Sequence, residues 1–191
     1  TNGYSGPLHG GLARSVVPVR SVQVATAPLS ENLRGTILPE RNQVSDMARL
    51  LLYFRVDARG RFIMGGRGTF RDTSTRAQME ALRAASLRVF PQLRGVEWTH
   101  AWGGNVAITP DHFPHLHELA PGLAAGLGYN GRGVAMATAM GRELARWARG
   151  TAPADLDYPV TPLRPLPLHG LHRLGVSAEI LRMRLLDRLG L

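Results

Sequence analysis

Three glycines within six residues, in the stretch Gly128-Tyr129-Asn130-Gly131-Arg132-Gly133, join what reads as a short strand (122–129) to a run patterned as a helix. Glycine accepts positive φ and lets the backbone come close to a neighbour or a ligand. Beyond the glycines, Val134, Ala137, Met140, Gly141, Leu144 and Ala148 recur at helical spacing and predict an amphipathic helix with that face inward. Arg146 and Arg149 suit the negative end of its dipole, and Gly150 and Pro153 end it. The first turn of such a helix carries unpaired N–H groups and the positive end of the dipole, so it attracts anions or developing negative charge. No acidic residue occupies that turn; Arg132 stands there instead, unfavourable alone but sensible beside an electron-rich group. Small residues (Ala135, Ala137, Thr138, Ala139, Gly141) allow close packing against a sheet or a flat cofactor. The pattern equally suits a plain strand–turn–helix. It is not the dinucleotide fingerprint GxGxxG, because the glycine spacing differs and no acidic residue follows at the right distance.

Elsewhere the pattern predicts mixed α and β structure. Residues 1–19 read as a loop, 21–29 as a strand, and the stretch through Leu38-Pro39-Glu40 as another loop. Residues 50–56 and 61–65, joined by Asp57-Ala58-Arg59-Gly60, predict a hairpin. Thr75 with Gln78 forms a capping box that starts a helix, with Met79, Leu82, Ala85, Val89 and Phe90 inward and Pro91 as the stop. Residues 96–101 and 106–109 read as two strands split by Gly103-Gly104. Pro159, Pro162, Pro165 and Pro167 predict an extended linker. A last helix is expected to begin at a Ser177 cap, with Ile180, Leu181, Leu185 and Leu189 inward and Arg182, Arg184 and Arg188 outward. Such a helix packs on its own protein or, as a basic amphipathic segment, meets a membrane or a partner.

Composition narrows the chemistry. The 191 residues include no cysteine, which removes disulfides and cysteine-ligated metals. No apolar run reaches the roughly 18 residues of a membrane helix, and no signal peptide is visible, so a cytoplasmic setting is expected. All 23 basic residues are arginine and the net charge is +9. Without lysine there is no Schiff base, lysine general base or ammonium near a reacting centre. The arginines are scattered and no nucleic-acid motif accompanies them, so a solvated surface is preferred over an arginine-rich nucleic-acid-binding module. Asp111, His112, His115, His117 and Glu118 lie close in sequence, yet no metal is expected there.

The order of segments resembles the D-amino-acid oxidase-like (DAO) superfamily of FAD-dependent oxidoreductases, nearest to its γ-glutamylputrescine oxidase-type branch. The matching pieces are Thr1-Asn2-Gly3-Tyr4, Val24-Ala25-Thr26-Ala27-Pro28-Leu29, Tyr53-Phe54-Arg55, the run from Gly60 to Arg67, and Val89-Phe90-Pro91-Gln92-Leu93. Trp102-Gly103-Gly104, Thr109-Pro110-Asp111 with Pro114, and the loop from Gly128 to Val134 complete the set. The resemblance covers residues 1–150 and leaves 151–191 without a family signature.

What the resemblance implies is an α+β, mixed fold: the C-terminal part of a two-domain flavoenzyme. Residues 1–20 would end the FAD-binding domain, 21–98 form the substrate domain with its sheet, 99–150 return to the FAD domain as strand, loop and helix, and 151–191 make a Pro-rich linker and terminal helix. The N-terminal Rossmann unit would be absent, and Thr1 in place of an initiating methionine suggests a chain cut or processed at its start. Apolar surface is then expected to be bare where that unit docks, favouring self-association. FAD would be bound by Thr1, Asn2, Trp102, Gly103, Gly104, Gly128, Tyr129, Asn130, Gly131, Arg132, Gly133 and Val134. An amine or amino-acid substrate would meet Tyr53, Arg55 and Arg67, an arginine holding its carboxylate. The implied reaction removes a hydride equivalent from the carbon beside an amine nitrogen. Sarcosine-oxidase-like members use a lysine near the flavin to activate oxygen; none exists here, so an acceptor other than oxygen stays open. The alternative is a non-catalytic remnant or subunit that needs a partner carrying the nucleotide-binding half.

Overall fold

The computed structural model of the chain describes residues 2–6, 8–68 and 75–190. The chain divides into two compact units, one of residues 1–19 and 105–172, the other of residues 20–104 and 173–191. Strands β1 (Val17–Pro28), β2 (Val44–Ser45), β3 (Tyr53–Val56), β4 (Arg61–Arg67) and β5 (Trp98–Ile108) form one sheet in the order β2-β3-β4-β1-β5. β3 and β4 make the antiparallel hairpin that the sequence predicts, pairing Tyr53 with Gly65 and Val56 with Phe62. Its turn closes because Asp57 accepts the N–H groups of Arg59 and Arg61 and the Arg61 guanidinium at 2.8 Å, while Gly60 takes a φ of 76°. Burial would raise the Asp57 pKa, but the bonds and charge of Arg61 and the Arg59 N–H outweigh it and hold the carboxyl below its ordinary value.

Strand alternation separates the two faces of this sheet. Val22, Val24, Phe54, Val56, Phe62 and Met64 point into the main core against Leu82 and Ala85 of α2 (Thr75–Val89). Phe90 meets Phe54 and Phe62 edge-on at 5.5 and 5.4 Å, and Trp98 closes the cluster at 6.4 Å from Phe62. The buried rings of Phe54 and Phe62 each contribute roughly 1.5–3 kcal/mol, and the partly buried Phe90 and Trp98 less. Register places Ser21, Gln23, Tyr53, Arg55, Gly65 and Arg67 on the opposite face.

Several elements differ from the sequence reading. β1 begins at Val17 rather than residue 21, and β3 at Tyr53 rather than residue 50. A helix, α1 (Glu31–Thr36), occupies part of the expected loop, with Ser30 as its N-cap and Leu33 packed against the core. α2 ends before Pro91 as predicted, but Val89 is exposed rather than inward, and only Phe90 turns back to the core. Thr75 is the first helical residue of α2; of its predicted cap, the Thr75 side chain falls outside the described residues. Gly103-Gly104 do not break β5. A Cβ on Gly103 would sit 2.9 Å from the Ser21 carbonyl, so glycine permits close strand approach there instead of a turn. Ala27 N–H donates to Glu97 at the other end, so β5 runs antiparallel to β1.

The last helix, α4 (His172–Leu189), starts five residues before Ser177, whose hydroxyl donates back to the Arg173 carbonyl at 2.8 Å. Ile180 is half-buried as expected, but Leu181, Leu185 and Leu189 are exposed. The covered side carries Val176, Ile180, Met183 and Leu186, and Asp187 pairs with Arg49 at 3.1 Å.

The unit of residues 1–19 and 105–172 is built on a hairpin of β6 (His115–Ala120) and β7 (Leu123–Leu127), with His115 opposite Leu127. Helix α3 (Gly133–Ala148) lies on β7, and Gly126 lets Met140 approach to 3.4 Å from its Cβ position. The buried side chains of α3 are Met140 and Glu143; Val134, Ala137, Gly141 and Ala148, expected inward, are exposed. Glu143 accepts from Arg142 and Arg146 at 2.9 and 3.0 Å and from the Asp157 N–H at 2.9 Å. The Pro-rich stretch is no free linker: Thr161 N–H donates to Leu116, Leu166 N–H donates to Arg14, and Leu163 packs with Leu12, Val16, Ala107 and Leu127.

Candidate functional site

The strand–glycine loop–helix that the sequence singles out forms as one continuous device, β7 into residues 128–132 into α3. Gly128 and Gly131 adopt φ of 77° and 87°, and Asn130 joins them in the left-handed region at 51°. The loop is held in place by side chains. Asn2 Oδ1 accepts the Gly128 N–H at 2.9 Å and reaches the Tyr129 N–H at 3.5 Å. Asn130 is bonded on three sides: its N–H donates to Ala107, its Oδ1 accepts the Thr109 N–H at 2.9 Å, and its Nδ2 donates to the Thr109 hydroxyl and the Gly128 carbonyl. The Thr109 hydroxyl in turn donates to the Phe113 carbonyl at 2.7 Å.

The helix start that this loop presents is electropositive and open. Arg132 is the N-cap residue but supplies no side-chain cap, and the first turn holds no acid. The leading N–H groups of α3 therefore face outward without the usual side-chain acceptor. Arg132 donates instead to the His112 carbonyl, which anchors its guanidinium beside the turn at 109–113. Among the described residues nothing lies within 4 Å of the Cβ position of Gly131. Such a surface accepts the negative edge of a ligand, and the exposed Ala135, Ala137, Thr138, Ala139 and Gly141 offer little steric bulk beside it.

Around the loop, burial tunes two phenols. It pushes the Tyr129 hydroxyl above its ordinary pKa, and that hydroxyl donates to the Gly126 carbonyl at 3.1 Å. Tyr158 is raised by burial and by the Asp111 charge, partly offset by Arg132. The acid–histidine cluster spreads apart. Asp111 pairs with His115, the rings of His115 and His117 stack at 5.6 Å, His112 occupies a left-handed turn, and Glu118 is exposed. Among the described residues no three His, Asp or Glu side chains group to hold a metal. His117 donates Nδ1–H to the Thr161 carbonyl at 2.7 Å; burial, reinforced by His115, overcomes that bond and lowers its pKa.

In the other unit, the three residues picked for a substrate share one neighbourhood of the sheet. Tyr53 and Arg55 alternate along β3 on the face away from α2, and register puts Arg67 on that face at the end of β4. The Tyr53 ring lies directly over Gly65, where a Cβ would overlap it, and its hydroxyl bonds the Ser21 hydroxyl at 2.6 Å. Arg67 also borders a cavity of about 410 Å³ lined by α2 and α4. Trp102, 42% exposed, sits with Gly103 and Gly104 within β5. Thr1 falls outside the described residues. Sequence reasoning missed Thr109 as the partner of Asn130 and Gln23 on the Tyr53 face. Counting by two from Ser21 reaches Gln23, but nothing in the sequence pairs Thr109 with Asn130.

Residues 1–147 match the family described as DAO, FAD dependent oxidoreductase. The chain belongs to this family. It is 37% identical over 156 residues to the probable oxidoreductase OrdL of Rhizobium meliloti (strain 1021), covering 82% of this chain and 36% of that protein. It is 31% identical over 157 residues to the gamma-glutamylputrescine oxidoreductase of Escherichia coli (strain K12), covering 82% of this chain and 37% of that protein. The chain thus spans little more than a third of the length of these curated relatives. Its fold matches the crystal structure of L-proline dehydrogenase from P. horikoshii with a TM-score of 0.63 at 24% identity, over 82% of this chain and 43% of that one. The open, uncapped start of α3 and its small-residue surface fit the electron-rich edge of a flavin, the group that the family name implies.

Proposed function

We propose that this chain carries the flavin-edge and substrate-facing parts of an FAD-dependent oxidoreductase acting on the CH–NH group of an amine or amino acid. The carrying observation is the loop of residues 128–133, fixed from Asn2 and Thr109 so that an uncapped helix N-terminus stays open. FAD, when bound, supplies the acceptor for the hydride equivalent leaving the carbon beside the nitrogen. Asn2 and residues 128–134 would hold it. The α3 N–H groups and Arg132 favour negative charge gathering at the flavin edge, and rigid tethering of the loop means little reorganisation is needed when that charge develops. Tyr53, Arg55 and Arg67 bind and orient the substrate: a guanidinium takes a carboxylate through paired N–H bonds, and Tyr53, locked to Ser21, offers a fixed aromatic wall. The adenosine and pyrophosphate are held by a Rossmann-type portion outside this chain, in keeping with its coverage of about a third of its relatives.

The test is cofactor retention. The chain alone, mixed with excess FAD and desalted, is expected to be colourless. Joined by a nucleotide-binding portion from a relative, it is expected to keep a flavin band that an amine or amino acid bleaches. In that assembly Asn2→Ala should weaken FAD binding by about fivefold, the equivalent of one hydrogen bond. A flavin band that forms but never responds to any amine or amino acid would reject the substrate reading.

A further inference from the structure

Helix α4 has two apolar sides, and only one is used. Val176, Ile180, Met183 and Leu186 are half-covered by their own unit. Leu174, Leu181, Leu185 and Leu189 are between 56% and 70% exposed. At about 100° per residue these leucines, with exposed Ala178 among them, fall within an arc of about 80° turned away from the covered side. Four large aliphatic side chains on one solvent-facing arc form a contiguous patch, unlike singly scattered surface leucines.

The charges around the patch say what suits it. Arg173, Arg184 and Arg188 line one edge and Arg182 the other. Both acids of α4 are already engaged, Glu179 by Arg182 at 2.6 Å and Asp187 by Arg49 at 3.1 Å. Among the described residues no carboxylate pairs with Arg173, Arg184 or Arg188. A second copy of the helix would bring arginine flank against arginine flank, and the stripe is shorter than the three to four heptads of a stable coiled coil. An anionic lipid surface meets both features: the leucines enter the acyl boundary, and the long arginine stems let the guanidinium groups reach the headgroups.

We propose that α4 docks this protein on an anionic lipid membrane, lying in the plane of the surface. It does not cross, since no described helix is long and apolar enough to do so. The reading is independent of the flavin site, which lies in residues outside α4. The test is co-sedimentation of the full chain with vesicles of phosphatidylcholine alone or mixed with phosphatidylglycerol. Binding is expected only with the anionic lipid, and to fade as salt rises. Leu181→Asp or Leu185→Asp should weaken it by about tenfold or more. Arg173→Gln or Arg188→Gln should weaken it by about fivefold each. Circular dichroism of the variants checks that the helix survives, as their exposure leads one to expect. Equal binding to both vesicle types, no binding, or binding indifferent to these variants overturns the proposal. So does a dimer in light scattering that Leu181→Asp makes monomeric while vesicles are ignored, because a second copy then covers the stripe.

Discussion

The two units are held together by different means. The unit of residues 20–104 and 173–191 has an apolar centre in which Phe54, Phe62, Phe90 and Trp98 interlock against Val22, Val24 and Met64. The unit of residues 1–19 and 105–172 has a small apolar cluster of Leu12, Val16, Ala107 and Leu127, and relies on buried polar ties: Asn130 with Thr109, Glu143 with Asp157, His117 with Thr161. An apolar core tolerates small rearrangements at a graded cost, whereas a polar tie is lost whole when one partner goes. The glycine loop belongs to the polar unit, so its geometry depends on individual hydrogen bonds.

The largest expected effect is on the apolar side. Phe62→Ala removes a fully buried ring touching Phe54, Phe90 and Trp98, and should cost about 3–5 kcal/mol. Amide hydrogen exchange should show the loss across β3 and β4 while β6 and β7 keep their protection. Equal loss in both hairpins would mean the units do not unfold separately, and the contrast would collapse. Next comes Glu143→Gln, which keeps shape but removes the charge bound by Arg142 and Arg146. A loss of about 1–3 kcal/mol is expected, seen as faster exchange in α3 and residues 155–161 and not in α2.

How legible each unit was in the sequence follows the same division. β3 and α2 could be read because one face of each is buried, so apolar residues recur with period two or about 3.6, whereas β4, buried from Phe62 to Gly66, was legible as a short apolar run set off by the turn at Asp57–Gly60. β6 was missed because Leu116 and His117 are both buried in succession, which erases the alternation, and a histidine there reads as surface. The face of α3 was drawn off-centre, with Met140 and Leu144 inward as expected but the rest exposed, because the buried Glu143 between Arg142 and Arg146 looks like a solvated charge cluster. α1 was missed because six residues are too few to show a period, and its Ser30 cap resembles any turn serine. Of the candidate site, the residue types and the loop were visible, but the tie from Asn2 to Gly128 spans 126 positions and leaves no local trace.

The smallest expected effect sharpens the contrast through pH. His117 is depressed in the folded state, so its contribution is fully present above its unfolded pKa of about 6.5. As pH falls through that value, the unfolded chain takes up a proton that the folded one refuses, and stability declines until the folded pKa is passed. Protection of β6 and β7, taken relative to the intrinsic exchange rate at each pH, should therefore fall on mild acidification more than that of β3 and β4. His117→Gln, which can still donate to Thr161, should flatten the difference; an unchanged acid response would assign it to another group.

The ring of Tyr53 resting on Gly65 sets a rule for how this protein can vary. No side chain fits at position 65 while the tyrosine is present, so even alanine there must evict the ring and break its bond to Ser21. The two positions are epistatic, and the order of change matters. A lineage, natural or laboratory-evolved, can enlarge residue 65 only after residue 53 has shrunk. A library that randomises position 65 alone would return glycine and mistake a neighbour's veto for a property of the site.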